Sequence, residues 1–145
     1  MLKKLFHILD RMVPSQIAYA HCDVPCGLYT PDAALLAADT VVKMTEKILA
    51  LGEGNLSRED AHALVRATWT KEEHARKCKE ELLILWTDFF KPEHLTAFPD
   101  LHETFWKAAK LCSKVKQSVD LEAARELRAA VEKIASMLAQ AKAKK

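Results

Sequence analysis

The sequence points to an all-α fold, an antiparallel four-helix bundle. Apolar residues recur at three- and four-residue steps in four long segments. The breaks between those segments carry Pro, Gly or capping side chains. No stretch alternates as a strand does, and the chain has only 3 Gly and 5 Pro, which disfavours turn-rich β folds and low-complexity disorder. With 145 residues, 50% of them hydrophobic, one domain with a sizeable core is expected. Short connections between amphipathic helices favour antiparallel neighbours.

Taken in order, residues 2–13 place Leu2, Leu5, Phe6, Leu9, Met12 and Val13 at helical spacing, and Pro14 stops them. Ala18-Tyr19-Ala20 has the small-x-small pattern of a cleavage site. His7, Asp10 and Arg11 interrupt the apolar stretch that a secretory signal needs, so a removable leader over 1–20 fits better. The working domain then spans 21–145. The alternative is an amphipathic helix that stays attached and docks on a membrane surface or a partner.

The first bundle helix is expected from Pro31, with Thr30 as its cap and Leu35, Ala38, Val41, Thr45, Ile48 and Leu49 inward; Gly52 and Gly54 end it. Ser57 and Asp60 cap the second helix, which runs about 30 residues towards Lys91-Pro92. Its predicted inner face is Ala61, Leu64, Val65, Thr68, Ala75, Cys78, Leu82, Leu85, Trp86 and Phe89. A short connector reaches Pro99. The third helix starts near Asp100 with Leu101, Phe105, Ala108, Leu111, Cys112 and Val115 inward, and the fourth follows Asp120 with Leu127, Val131, Ile134 and Leu138.

Charge narrows the function. Net charge is +2 at pH 7, without the clustered excess of Lys and Arg of a nucleic-acid binder. The whole excess lies in the first twenty residues, where Lys3, Lys4 and Arg11 face Asp10. No apolar run is long enough to span a membrane. Neither nucleic acid nor membrane is an expected partner. Four cysteines are too few for a disulfide scaffold, and a cytoplasmic location is expected.

The chemistry concentrates in His21-Cys22-Asp23-Val24-Pro25-Cys26-Gly27-Leu28-Tyr29. Val24-Pro25-Cys26-Gly27 suits a tight turn, with Pro second and Gly fourth. Such a turn folds Cys26 back beside Cys22, so that both sulfurs reach one metal ion. Two thiolates and one imidazole make only three ligands, fewer than a closed zinc site uses. Cleavage after Ala20 changes the count. His21 then offers a free amine, and the Cys22 amide nitrogen lies one chelate ring away. Amine, amidate and two thiolates form an S2N2 plane, which points to Ni(II) or Cu(II). The residues alone leave a second class open: a non-catalytic metal-trafficking or thiol-switch bundle using Cys22 and Cys26. Cys78 and Cys112 fall on apolar helix faces and read as small buried hydrophobes.

The segment resembles the nickel-hook motif of nickel-containing superoxide dismutases, H-C-D-x-P-C-G-x-Y, at all seven fixed positions: His21, Cys22, Asp23, Pro25, Cys26, Gly27 and Tyr29. A second block, Leu85-Trp86-Thr87-Asp88-Phe89-Phe90-Lys91-Pro92-Glu93-His94, is also similar to that family. The resemblance implies a four-helix bundle with an N-terminal metal-binding hook and one nickel ion per subunit. It implies disproportionation of superoxide to oxygen and hydrogen peroxide by Ni(II)/Ni(III) cycling. His21, Cys22 and Cys26 become the metal ligands, with the His21 imidazole axial. Tyr29 limits access to small anions, and Asp23 joins it as a catalytic position. A homohexamer and a maturation protease are the implied partners besides superoxide.

Two departures stand out. The family commonly has a Glu on the first helix and an Arg on the second that orient the axial imidazole; Ala37 and His74 occupy those positions here. Phe89 stands where a Tyr often follows the Trp-x-Asp pattern. Trp86, Phe89 and Phe90 are expected to pack, Lys91 to be solvated, and His62, His94 and His102 to bind no metal.

Overall fold

The structure, a computed structural model, describes residues 28–143. The leader segment and hook residues 21–26 lie outside the described residues. Four α-helices follow in order: α1 (Asp32–Ala50), α2 (Arg58–Ile84), α3 (Leu101–Gln117) and α4 (Leu121–Ala143). α1 packs on α2 and α4, and α3 completes the ring against α2 and α4. This is the expected antiparallel bundle. No described helix is long and apolar enough to cross a membrane.

Local chemistry sets most helix ends. The Ser57 hydroxyl accepts from the Asp60 amide at 3.0 Å and donates to the Asp60 carboxylate at 2.8 Å, which satisfies one of the orphan donors of α2. Asp120 does the same for α4, accepting from the Ala123 amide at 2.9 Å. That bond, with the neighbouring Lys114 ammonium, holds the Asp120 carboxyl below its usual range. Beyond α1 the chain turns through Gly52 and Gly54, at φ +72° and +118°, where a side chain would be strained. The expected Thr30 cap is not found. Pro31 itself, at φ −85° and ψ −3°, is the residue flanking α1, and its carbonyl accepts from Leu35 at 2.9 Å.

α2 continues through a π-helical turn, Leu85–Phe89, in which the Phe90 amide donates to the Leu85 carbonyl at 3.2 Å. The extra residue in this turn shifts the register of the side chains relative to an uninterrupted α-helix, and both Phe89 and Phe90 end buried. A 3-10 turn, Pro92–Thr96, then leads to α3. His94 fixes its start: the ring Nδ1 accepts from the Lys91 amide at 2.9 Å, so the proton resides on Nε2.

The core is Val41 from α1, Leu82 from α2, Leu101 and Phe105 from α3, and Leu127, Val131, Ile134 and Leu138 from α4, each at most 2% exposed. The predicted faces of α3 and α4 agree with it. α1 buries Ala34 and Ala37 in addition, and Leu49 is exposed. The first half of α2 departs more. Val65 is 68% exposed and Ala61 is exposed, and the residues turned inward are Ala67 and Lys71. Hydrophobicity misleads there because the inner face holds a small residue and a charged one. The Lys71 ammonium donates to the carbonyls of Val115, at 2.8 Å, and Ser118. It thereby satisfies acceptors at the end of α3 that no further helical turn would reach.

Candidate functional site

Tyr29 is the first residue of the predicted site that the structure describes, and it is buried at one end of the bundle. Its ring meets Phe89 edge-on, with centroids 5.6 Å apart. Phe89 in turn packs edge-on against Phe90 at 5.0 Å and stacks on His94 at 5.7 Å. Phe90 reaches Phe105 at 5.4 Å, and Trp86 stacks on Phe105 at 5.8 Å. The π-helical turn makes this possible, because it turns two consecutive aromatic residues inward. Tyr29 therefore stands on a continuous aromatic wall, and edge-to-face pairs of this kind fix ring orientation.

A second anchor comes from the far end of the chain. The Lys142 ammonium, on α4, donates to the Tyr29 carbonyl. Leu28, one residue earlier, is 79% exposed. Burial thus begins at Tyr29 among the described residues, and the candidate ligands stand a few positions earlier in the sequence. Lys91 is exposed, as expected, at the start of the 3-10 turn that follows Phe90.

The remaining site expectations divide as follows. His21, Cys22, Asp23 and Cys26 lie outside the described residues. Among the described residues, no group of three or more His, Cys, Asp or Glu side chains is arranged to hold a metal ion. His62 is exposed, His94 is part of the aromatic wall, and His102 accepts from the Trp86 indole at 2.8 Å. Trp86, Phe89 and Phe90 pack, as expected. Phe89 is the residue whose ring meets Tyr29. Ala37 is buried in the core face of α1. His74 is half-buried on α2 and its Nδ1 donates to the Thr70 carbonyl at 2.9 Å, which ties the ring to its own helix and leaves Nε2 as an acceptor.

Sequence reasoning missed two features here. Lys142 carries no local signal, since it sits in a run of Lys and Ala that reads as a solvated helix end. Cys78 and Cys112 are buried, at 0% and 2% exposure, but they also interact across the α2–α3 contact. Their shared place on the inner faces of consecutive helices was the available clue.

The model of the family described as nickel-containing superoxide dismutase matches residues 16–142. A protein named superoxide dismutase [Ni] from Streptomyces seoulensis is 38% identical over 120 residues, covering 83% of this chain and 82% of that protein. A protein of the same name from Streptomyces coelicolor is similar to the same extent. Among solved structures, native nickel superoxide dismutase is 34% identical with a TM-score of 0.74, covering 84% of this chain and 99% of that one. A crystal structure with nickel ligation corresponding to the oxidised state gives a TM-score of 0.75 at 34% identity, covering 84% of this chain and 98% of that one.

Proposed function

The chain belongs to the nickel-containing superoxide dismutase family, and from that premise we propose how its own residues carry the activity. Nickel is the cofactor, and two superoxide anions with two protons yield oxygen and hydrogen peroxide. We assign the metal ligands to His21, Cys22 and Cys26. The donor set fits the ion: two thiolates with amine and amidate nitrogens favour square-planar divalent ions over tetrahedral zinc. Bound there, nickel supplies the one-electron chemistry between its divalent and trivalent states. Each ligand must be deprotonated to bind. The His21 amine becomes a donor only when the peptide bond after Ala20 is cut, so residues 1–20 act as a leader removed by a maturation protease.

The observation that carries this reading is the anchorage of Tyr29. Phe89 and Lys142 hold it at the bundle end, and the covalent chain keeps Cys26 within about 11 Å of it. A buried aromatic so close to the ligands restricts the site to small anions such as superoxide. Asp23, between the two ligand cysteines, is the second catalytic position. With Ala37 and His74 at those positions, no charged pair stands there to orient the His21 imidazole.

A homohexamer is supported by large exposed apolar side chains: Leu36, Val65, Trp69 and Trp106 are 68%, 68%, 70% and 54% exposed. Such residues are enriched at protein interfaces. A cytoplasmic location is supported by cysteine usage: four cysteines in 145 residues are too few for a disulfide scaffold.

The test is metal analysis, N-terminal sequencing and superoxide removal on processed and unprocessed protein. Protein beginning at His21 is expected to bind one nickel per subunit and remove superoxide, and the chain with Ala20–His21 intact to do neither. Equal activity in the uncut chain would overturn the ligand assignment. A preference for copper or zinc without cleavage would favour the metal-trafficking reading.

A further inference from the structure

Cys78 on α2 and Cys112 on α3 form a dithiol that the proposed metal site does not use. Both are buried, and both are free. The two residues neighbour each other across the α2–α3 contact: the adjacent Lys79 and Ser113 are bonded at 3.2 Å, Cys112 lies beside Ala75 and Lys79 of α2, and the two thiols perturb one another. The two sulfurs have different surroundings. Cys112 lines a surface cleft of about 130 Å³ together with Arg76, Lys79, Ser113 and Lys116. A water molecule occupies about 30 Å³ in the liquid, so the cleft admits a molecule the size of hydrogen peroxide. Lys79 is held at its edge by the Ser113 hydroxyl at 3.2 Å, and Arg76 is engaged by Glu73 and Glu80.

These surroundings separate the roles of the pair. The neighbouring Cys78 thiol and the nearby Lys79 ammonium hold the Cys112 thiol below its usual value, against the opposing effect of burial. Cys112, burial and Glu81 push the Cys78 thiol up. The thiolate is the nucleophile towards peroxides, and an adjacent thiol can resolve the product.

We propose that Cys112 and Cys78 are a peroxide-reactive pair, with Cys112 the attacking sulfur and Cys78 the resolving one. The Cys112 thiolate attacks one oxygen of hydrogen peroxide. An S–O bond forms, the O–O bond breaks, and the departing hydroxide takes a proton to leave as water. The Cys78 sulfur then attacks the Cys112 sulfenic acid. The S–S bond forms, the S–O bond breaks, and hydroxide leaves with the Cys78 proton as a second water. Two thiols lose two electrons and one peroxide gains them. The disulfide ties α2 to α3 and records exposure to peroxide. The proposal rests on the dismutase reading only for the source of the oxidant, which is the product of that reaction.

The test uses the full chain and added hydrogen peroxide, so it does not depend on dismutase activity. Free thiols are then alkylated and the digest is mapped by mass. The expected result is a Cys78–Cys112 linked peptide pair that dithiothreitol dissolves. In Cys78→Ser, dimedone is expected to trap a sulfenic acid on Cys112, and Lys79→Met is expected to slow the reaction several-fold. Recovery of both residues as free thiols, under peroxide that oxidises Cys22 and Cys26 in metal-free protein, would overturn the proposal. So would a dimedone adduct on Cys78 in Cys112→Ser with none on Cys112 in Cys78→Ser. The wild-type peptide map decides the question even where a variant does not fold.

Discussion

The two ends of the bundle are built on different principles. The end that carries Tyr29 is aromatic: Phe89, Phe90, Phe98 and Phe105 sit within ring contact of one another or of a shared neighbour. The opposite end, where α1 turns into α2 and α3 into α4, has little apolar mass. Its first α2 turns are exposed, and a cleft lined by Met44, Leu51, His62, Arg66 and Thr70 opens there. Order at that end comes from single polar contacts: Ser57 to Asp60, Asp120 to Ala123, and Lys71 to two carbonyls. Packing is strong but needs bulk, whereas capping needs only a few atoms. The end next to the candidate site has the rigid solution, which suits a residue that must hold its ring in place.

Substitutions at the two ends should separate these principles. Phe105→Ala removes a ring that is 1% exposed and touches both Trp86 and Phe90. Its cost should be about 3–5 kcal/mol by denaturant titration; a value near 1 would mean that the aromatic end is not the stronger half. Lys71→Met keeps most of the side chain but strips the donor from two carbonyls, at a cost of about 1–3 kcal/mol. Ser57→Ala should cost about 1 kcal/mol through loss of the α2 cap. Val65→Ala, on the exposed first half of α2, should stay within about 0.5 kcal/mol, and a larger loss in the isolated subunit would restore Val65 to the core.

Lys71 also sharpens the comparison through pH. Burial holds its ammonium below the usual lysine value, with Glu72 partly opposing. The unfolded chain therefore keeps this proton to higher pH than the folded chain does. Between the depressed folded value and 10.5, the unfolded state binds more protons, so stability rises with pH there. Below that window both states hold the proton and the cost of burying the charge is fully present; above it, that cost is relieved. The difference in unfolding free energy between wild type and Lys71→Met should thus slope upward on the alkaline side. A flat or falling difference would show that Lys71 is not desolvated as a cation.

What the sequence revealed follows the same division between local and distant causes. Ser57, Asp120 and Gly52 were legible because a cap or a left-handed turn is decided within a few residues. The faces of α3 and α4 were legible because Phe105, Leu127, Val131 and Ile134 are large and regularly spaced. The hook is read only as a pattern of ligand types in nine residues, and His21, Cys22, Asp23 and Cys26 lie outside the described residues. The inner face of early α2 was not, since Ala67 has little apolar weight and Lys71 has the wrong sign of hydropathy for a buried position. Nor was the meeting of Cys78 with Cys112, because burial is a property of one residue and contact is a property of two. The pairing of Lys142 with Tyr29 joins positions too far apart for any periodicity to register.

That last pairing has a bearing on biosynthesis. Tyr29 and Lys142 are separated by 113 positions, so the ribosome emits one long before the other. A nascent chain that has completed α1 to α3 still lacks the partner for the Tyr29 carbonyl. The Tyr29 carbonyl acquires this contact only when α4 has been released and docked. A chain truncated within α4 would never make that contact, and the ring contact with Phe89 would have to position Tyr29 without it.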